Sequence, residues 1–164
     1  MNEQSLEFIM SRLDSLISDT NNKSTILIGI DTFLSGMLVA NYKIYYSIVL
    51  CQRFIFTISI LGLIVSLYFA ISVIVPILKS KGRAEFHDSV IFFESICQKK
   101  EIDLYELYCD EKYDYKLDLT QQIYELSSIA SVKFKRLKMS IQFLFFMTIV
   151  PWVLLYITYV LGGK

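Results

Sequence analysis

The sequence contains few of the residues from which most metal and catalytic sites are built. It has one histidine, His87, and three cysteines among 164 residues. A single histidine excludes the paired-histidine zinc motif of metalloproteases. The spacing of Cys51, Cys97 and Cys109 fits neither a disulfide framework nor a zinc pattern. We therefore expect no metal centre built on these residues.

Glycine and net charge are also low, and each excludes a class of protein. The six glycines are scattered and form no phosphate-binding loop, and no G-x-S-x-G elbow is present. Basic and acidic residues number 16 each, so the protein is not a globally basic nucleic-acid binder. The acidic residues between Glu101 and Asp118 fit a solvated face at least as well as a metal site. We predict that the protein is not an enzyme and has no cofactor.

Apolar residues are abundant, at 54% of the chain, and they are concentrated in three stretches. Residues 54–78 and 141–161 contain no charge, and residues 24–42 contain one, Asp31. About 20 mostly apolar residues in a helix cross a bilayer. A soluble bundle of very apolar helices is the alternative, but a soluble helix shows a polar face and residues 54–78 show none. The sequence predicts three transmembrane helices.

Basic residues near the spans predict the orientation, because cytoplasmic loops are enriched in Lys and Arg. The segment between the second and third spans begins and ends with basic residues: Lys79, Lys81, Arg83, Lys133, Lys135, Arg136 and Lys138. We expect this segment and the N-terminus to be cytoplasmic and the C-terminus to lie outside. These charges alone fit contact with anionic lipid headgroups better than a ligand site.

The helical pattern extends through the predicted cytoplasmic part. Apolar residues recur at helical spacing over residues 3–20, and Asn21-Asn22 is expected to cap or bend the joint to the first span. Short helices are expected over 90–100 and 101–110. Asp118 is expected to cap a helix that continues into the third span.

No segment shows the alternation of a strand, so the fold class is all-α, with three transmembrane helices and a small cytoplasmic helical layer. We treat residues 1–164 as a single domain. Its parts are an amphipathic helix over 1–23, spans over 24–42, 54–78 and 139–161, and cytoplasmic helices over 79–138.

Four segments carry a resemblance to a known family. They are LISDTNNKSTILIGIDTFL (16–34), VIVPIL (73–78), IFFESICQKKEIDLYELY (91–108) and LTQQIYELSSIASVKFKRLKMSI (119–141). In this order they resemble the transmembrane effectors of the bacterial Pycsar antiphage system. The most specific piece is the series that contains Gln122, Ser127 and Lys133.

The resemblance implies a function and a partner. A cyclase would sense phage and produce cyclic CMP or cyclic UMP, and the effector would respond by impairing the inner membrane, which leads to growth arrest or cell death. Its partners would be the lipid bilayer, the cyclic nucleotide and further copies of the chain, without nucleic acid. A membrane-anchored interaction module and a constitutive small channel are the alternatives.

Candidate ligand residues follow from this expectation. A cyclic nucleotide needs a cation for its phosphate and an aromatic or polar surface for its base. The candidates are Lys23, Arg83, Phe92, Phe93, Gln122, Tyr124, Lys133 and Arg136. Aromatic residues at helical spacing are more often part of a core.

Asp31 is a separate candidate because an ionisable residue within a span is often functional. With Thr57, Ser59, Ser66 and Ser72 it would line a path between subunits. The alternative is a buried carboxyl that bonds a polar residue of another span.

Overall fold

The chain folds into long helices in the computed structural model, which describes residues 3–43, 50–76, 100–101, 105–106 and 114–162. In chain order the helices are α1 (Glu3–Ala40), α2 (Leu50–Ile74), α3 (Tyr115–Phe143), a π-helical segment (Leu144–Ile149) and α4 (Val150–Gly162). These ranges contain no strand. The predicted all-α fold class is confirmed.

Three helical stretches are long and apolar enough to cross a membrane: Glu3–Ala40, Arg53–Ile74 and Tyr115–Leu154. They correspond to the three spans expected from the sequence. The predicted helices over 90–100 and 101–110 lie almost wholly outside the described residues, as do the candidates Arg83, Phe92 and Phe93.

Helix α1 is longer than the sequence pattern predicts. It continues through Asn21-Asn22 without interruption, so the expectation that these residues cap a joint is wrong. The side chain of Asn21 is used elsewhere, since its Oδ1 accepts a hydrogen bond from Lys133 Nζ. The amide therefore does not compete for the backbone bonds of its own helix.

The N-terminus of α3 also differs from the prediction. Asp114, not Asp118, caps the helix, because Asp114 Oδ1 accepts from the backbone N–H groups of Lys116 and Leu117 at 3.0 and 3.1 Å. Such bonds satisfy amides that have no partner within the helix. Asp118 lies in the first turn and is buried.

The helix that enters the third span is continuous from Tyr115 to Gly162, as predicted, but it contains a π-helical segment. The segment ends two residues before Pro151, and the N–H of Val150 donates to the carbonyl of Phe145, five residues earlier. Proline has no N–H and its ring clashes with the carbonyl four residues before it. Wider π-turns before Pro151 accommodate that residue within the helix.

The chain divides into two compact units. The first comprises residues 1–18 and 77–131. Its described contacts include Tyr115 Oη to Glu7 Oε1 at 3.3 Å and the exposed ion pair of Lys116 with Glu3 at 3.5 Å. Leu6 and Leu119 are buried in it.

The second unit comprises residues 19–76 and 132–164 and contains the predicted spans, apart from residues 77 and 78. Its apolar core is formed by Leu38, Phe56, Leu63 and Leu144. Partly buried apolar side chains pack against these four, among them Trp152.

The buried residues of α2 lie on one face at alternating spacings of three and four residues, and several are small: Phe56, Ser59, Leu63, Ser66, Ala70 and Val73. The opposite face presents large apolar side chains, among them Phe54, Ile64 and Tyr68, each more than half exposed. Small polar residues inside and large apolar residues outside reverse the pattern of a soluble bundle and are typical of helices in lipid.

Candidate functional site: a polar seam between the spans

Polar side chains from all three spans meet inside the second unit. We call this set the polar seam; it consists of Asn21, Ser24, Asp31, Ser59, Ser66, Lys133, Ser140 and Thr148. All but Asn21 are buried. Polar contacts between helices stabilise membrane bundles because lipid offers no competing partner.

At one level of the seam, Lys133 joins three helices. Its Nζ donates to Asn21 Oδ1 of α1 at 2.7 Å and to the carbonyl of Val73 in α2 at 2.6 Å, and the residue is only 4% exposed. Arg136 Nη1 donates to the carbonyl of Ser72 at 2.6 Å. We call Lys133, Arg136 and these three partners the base cluster.

The base cluster has a simple electrostatic basis. Ser72 and Val73 lie in the last turn of α2, where carbonyls have no partner within the helix and carry a partial negative charge. Within the described ranges neither cation pairs with a carboxylate. The partners of both cations are neutral oxygens.

Three residues further along α1 from Asn21, the seam continues with Ser24. Ser24 Oγ donates to the carbonyl of Ala70 at 2.6 Å, between α1 and α2. Ser24 is fully buried, and so is Ala70. The small side chains let the two helices approach closely.

The middle of the seam holds what we call the acid cluster: Asp31, Ser66 and Ser140, one residue from each span. Ser66 Oγ lies 2.9 Å from Asp31 Oδ2, 3.1 Å from the carbonyl of Ser140 and 3.2 Å from Ser140 Oγ. Ser140 Oγ donates to the carbonyl of Ser66 at 3.0 Å. Asp31 is 1% exposed, and within the described part of the chain its second oxygen, Oδ1, has no hydrogen-bond partner.

Beyond the acid cluster, α2 packs tightly on the π-helical segment. A Cβ atom at Gly62 would lie 2.6 Å from Met147 Cβ and 2.8 Å from its carbonyl oxygen. Only glycine fits such an approach. One turn before Gly62 on α2, the carbonyl of Ser59 accepts a hydrogen bond from Thr148 Oγ1 at 3.4 Å.

The remaining candidates of the sequence analysis, Lys23, Gln122 and Tyr124, are not members of the seam. Lys23 is exposed on α1. Tyr124 is 76% exposed, whereas Gln122 is 5% exposed and its Nε2 has no hydrogen-bond partner among the described residues. Gln122 and Tyr124 belong to the first unit, and Lys23, Lys133 and Arg136 to the second.

The residues predicted to line a path between subunits differ in their surroundings. Ser59 and Ser66 face the interior of the bundle, as Asp31 does. Thr57 is exposed and bonds the carbonyl of Arg53 in its own helix, and Ser72 Oγ bonds the carbonyl of Phe69.

The sequence analysis missed Ser24, Ser140 and Thr148 as members of the seam. The spacing of two of them was a signal in the sequence. Ser24 lies seven residues before Asp31 on α1, and Ser140 lies seven residues after Lys133 on α3. A seven-residue spacing places two residues on one helix face.

The fold and the seam together define a small helical membrane protein whose polar groups face the inside of its own bundle. Its sequence matches the family of the Pycsar effector protein domain over residues 5–162. The chain belongs to this family, and it is thus a membrane effector of the Pycsar antiphage type. Searches of curated proteins and of solved structures gave no match.

Proposed function

We propose that the protein responds to cyclic CMP or cyclic UMP, made by a partner cyclase after infection, by impairing the inner membrane. The infected cell then stops growing or dies. The effector acts physically and catalyses no reaction. Its N-terminus and residues 79–138 face the cytoplasm and its C-terminus lies outside. The observation that carries this proposal is the family match over nearly the whole chain, joined to a polar seam within three spans.

The base cluster supports a way for an anionic ligand to act on the spans. Lys133 and Arg136 bond only neutral oxygens in the described residues. A phosphate is a stronger partner for a cation than a carbonyl or an amide oxygen. A nucleotide phosphate that reaches these cations would therefore draw them away from the last turn of α2. The ligand shifts the bundle by its higher affinity for the arrangement in which this end of α2 is released.

The polar seam supports a way for that shift to damage the membrane. Polar groups that face lipid or an empty interior are unfavourable, so they pair inside the closed bundle. When α2 moves, these groups need water or another chain as partners. Three helices enclose no channel, so we propose that several copies assemble and that the seam lines a hydrated path between them.

The test is the membrane potential of bacteria that express the chain with or without a cyclase that makes cyclic CMP or cyclic UMP. Depolarisation only with an active cyclase is the expected result. Depolarisation without the cyclase would identify a constitutive channel instead. An unchanged potential with the protein present in the membrane would favour the membrane-anchored interaction module.

A matched pair of variants tests the role assigned to the base cluster. Lys133→Gln removes the buried cation, and Lys135→Gln removes an exposed one two residues away. We expect Lys133→Gln to abolish the ligand-dependent thermal shift of the purified protein by cyclic CMP or cyclic UMP, and Lys135→Gln to keep it. An equal response of both variants would contradict a phosphate site at Lys133.

A further inference from the structure

We propose that Asp31 is a proton-binding site: in the closed bundle its carboxyl group holds a proton and donates it in a hydrogen bond to Ser66 Oγ. We propose also that the proton is released when the seam opens. The first statement concerns the resting protein and is independent of the ligand. The second rests on the proposed function.

The number of hydrogens in the acid cluster supports a protonated carboxyl group. Each serine hydroxyl has one hydrogen to donate. Ser140 donates its hydrogen to the carbonyl of Ser66. The hydrogen of Ser66 is then the only one left for three acceptors: Asp31 Oδ2, the Ser140 carbonyl and Ser140 Oγ.

A proton on Asp31 reduces this shortage by one hydrogen. Asp31 Oδ2–H donates to Ser66 Oγ across 2.9 Å, and Ser66 Oγ–H is then free to donate to the carbonyl of Ser140 across 3.1 Å. Together with the bond from Ser140 Oγ to the Ser66 carbonyl, every hydroxyl hydrogen in the cluster then has an acceptor. Two of these bonds are donated from α1 to α2 and from α2 to α3, and the bond from Ser140 Oγ is donated back from α3 to α2.

An ionised carboxylate fits the same geometry poorly. Asp31 is 1% exposed, and none of the residues that the structure describes donates a hydrogen bond to its Oδ1. An ionised group would leave negative charge on this buried oxygen with no donor to stabilise it. Burial of an unpaired charge is far less favourable than burial of a neutral polar oxygen.

The surrounding charges do not compensate for an anion. Helix α2 contains one charged residue, Arg53, and it lies 13 positions before Ser66. On α3 the inward cations nearest to Ser140 are Lys133 and Arg136, whose donors are directed at Val73 and Ser72. On α1 itself Lys23 is exposed, eight residues before Asp31. None of these groups contacts the carboxyl of Asp31.

Release of the proton follows from hydration of the seam. Water that reaches Asp31 supplies the donors that Oδ1 lacks and stabilises the ionised form. Opening and loss of the proton are then coupled, and each favours the other. Acidic solution should accordingly oppose opening, and alkaline solution should favour it.

Infrared spectroscopy of the purified resting protein in lipid tests the first statement. A protonated carboxyl group has a C=O stretching band that is separate from the carboxylate bands and shifts in heavy water. We expect this band at neutral pH, its loss in Asp31→Asn and its retention in Asp14→Asn, which changes an exposed acid of the same helix. Absence of the band from the wild-type protein, or its persistence in Asp31→Asn, would overturn the proposal.

A second variant guards against misfolding of Asp31→Asn. Ser66→Ala keeps the acid and removes its acceptor, so we expect the band to remain and to move to higher frequency. A band at an unchanged position would show that the acid does not donate to Ser66. If sodium or potassium abolished the band at constant pH, the cluster would bind a metal cation in place of a proton, which would also overturn the proposal.

Ion flux into liposomes tests the second statement. With cyclic CMP or cyclic UMP present, we expect wild-type flux to rise by several-fold as the solution becomes more alkaline and Asp31→Asn flux to change little with pH. Equal pH dependence in both proteins would overturn proton release on opening. Absence of flux from the wild-type protein at every pH would contradict the proposed function, while the infrared result would still decide the protonation of the resting bundle.

Discussion

Lys133 and Asp31 are both buried ionisable residues of one bundle, but their surroundings differ. Lys133 donates to two oxygens from two other helices, in a place where the last turn of α2 favours positive charge. Asp31 has one hydroxyl beside one carboxyl oxygen and no partner at the other. They are separated by the layer in which Ser24 bonds Ala70 and do not pair with each other.

The difference shows two ways in which a membrane bundle accommodates an ionisable side chain. The base cluster satisfies a cation with helix-end carbonyls, so the charge contributes to the joining of the three helices. The acid cluster offers too few donors for an anion, and a neutral acid fits it. Replacement of the ionisable side chain by a neutral one should therefore reduce stability at Lys133 and change it little at Asp31. The following predictions are ordered from the largest expected effect to the smallest.

Lys133→Met should destabilise the protein most. Methionine retains much of the apolar chain but leaves Val73 O and Asn21 Oδ1 without their donor. Hydrogen bonds to charged groups contribute about 1.5–3 kcal/mol each, so we expect a loss of about 3 kcal/mol in the free energy of unfolding. Unfolding in detergent micelles, followed by circular dichroism, measures it.

The matched control is Lys135→Met, which changes an exposed lysine two residues away. It should stay within about 0.5 kcal/mol of the wild-type value. Similar losses in both variants would show that the bonds of the base cluster contribute little.

Gly62→Ala should cause the next largest loss of stability, through the contact of α2 with the π-helical segment. The added Cβ would meet the backbone of Met147, so α2 and the π-helical segment must separate. Overpacking of this kind costs about 1–3 kcal/mol. The same unfolding measurement applies.

Gly36→Ala is the control, because nothing lies within 4 Å of its Cβ position. Alanine favours the helix over glycine by up to about 1 kcal/mol, so this variant should be slightly more stable than the wild type. The close approach at Gly62 would be refuted if both glycine variants gained stability.

The sequence predicted the large features of the fold because they depend on composition and periodicity. Three long apolar stretches required three membrane helices, and Asp31 was identified as unusual within one of them. The partner of Asp31 was left open, because a helix pattern shows which residues share a face but not which helix lies opposite. Ser66 and Ser140 become its neighbours only through the packing of the spans.

The features that differed from the prediction are places where the sequence allows more than one local arrangement. Asp114 and Asp118 are both reasonable caps in the sequence, and only the backbone geometry distinguishes them. Asn21 was expected to cap or bend the joint to the first span, but its amide oxygen accepts from Lys133, which is 112 residues away. Pro151 was the available signal for the π-helical segment.

Ser140→Ala should cause a smaller loss than either change above. It removes the bond from Ser140 Oγ to the Ser66 carbonyl and the contact of Ser140 Oγ with Ser66 Oγ, and it keeps Asp31 and Ser66. Such bonds in membrane bundles contribute about 0.6 to 1.7 kcal/mol, so a loss near 1 kcal/mol is expected. Ser127→Ala, an exposed serine that bonds its own helix, is the control and should change little. A loss of equal size in the control would argue against a bond between helices at Ser140.

Asp31→Asn should cause the smallest change in the free energy of unfolding. It also gives the clearest test of the difference between the acid cluster and the base cluster. The asparagine amide donates to Ser66 Oγ as the protonated acid does, and its oxygen replaces Oδ1, so we expect a change below about 1 kcal/mol in the free energy of unfolding. Lys133→Gln should lose two to three times as much, because a neutral amide is shorter than the lysine chain and carries no charge for the carbonyls of α2. If Asp31 were an unpaired anion, Asp31→Asn would instead stabilise the protein markedly, since it would remove a buried charge. The measurement is the change in the free energy of unfolding of Asp31→Asn at neutral pH, with Asp14→Asn as the control. A marked gain in stability would show that the acid cluster holds a charge as the base cluster does, and a small change would show that it does not.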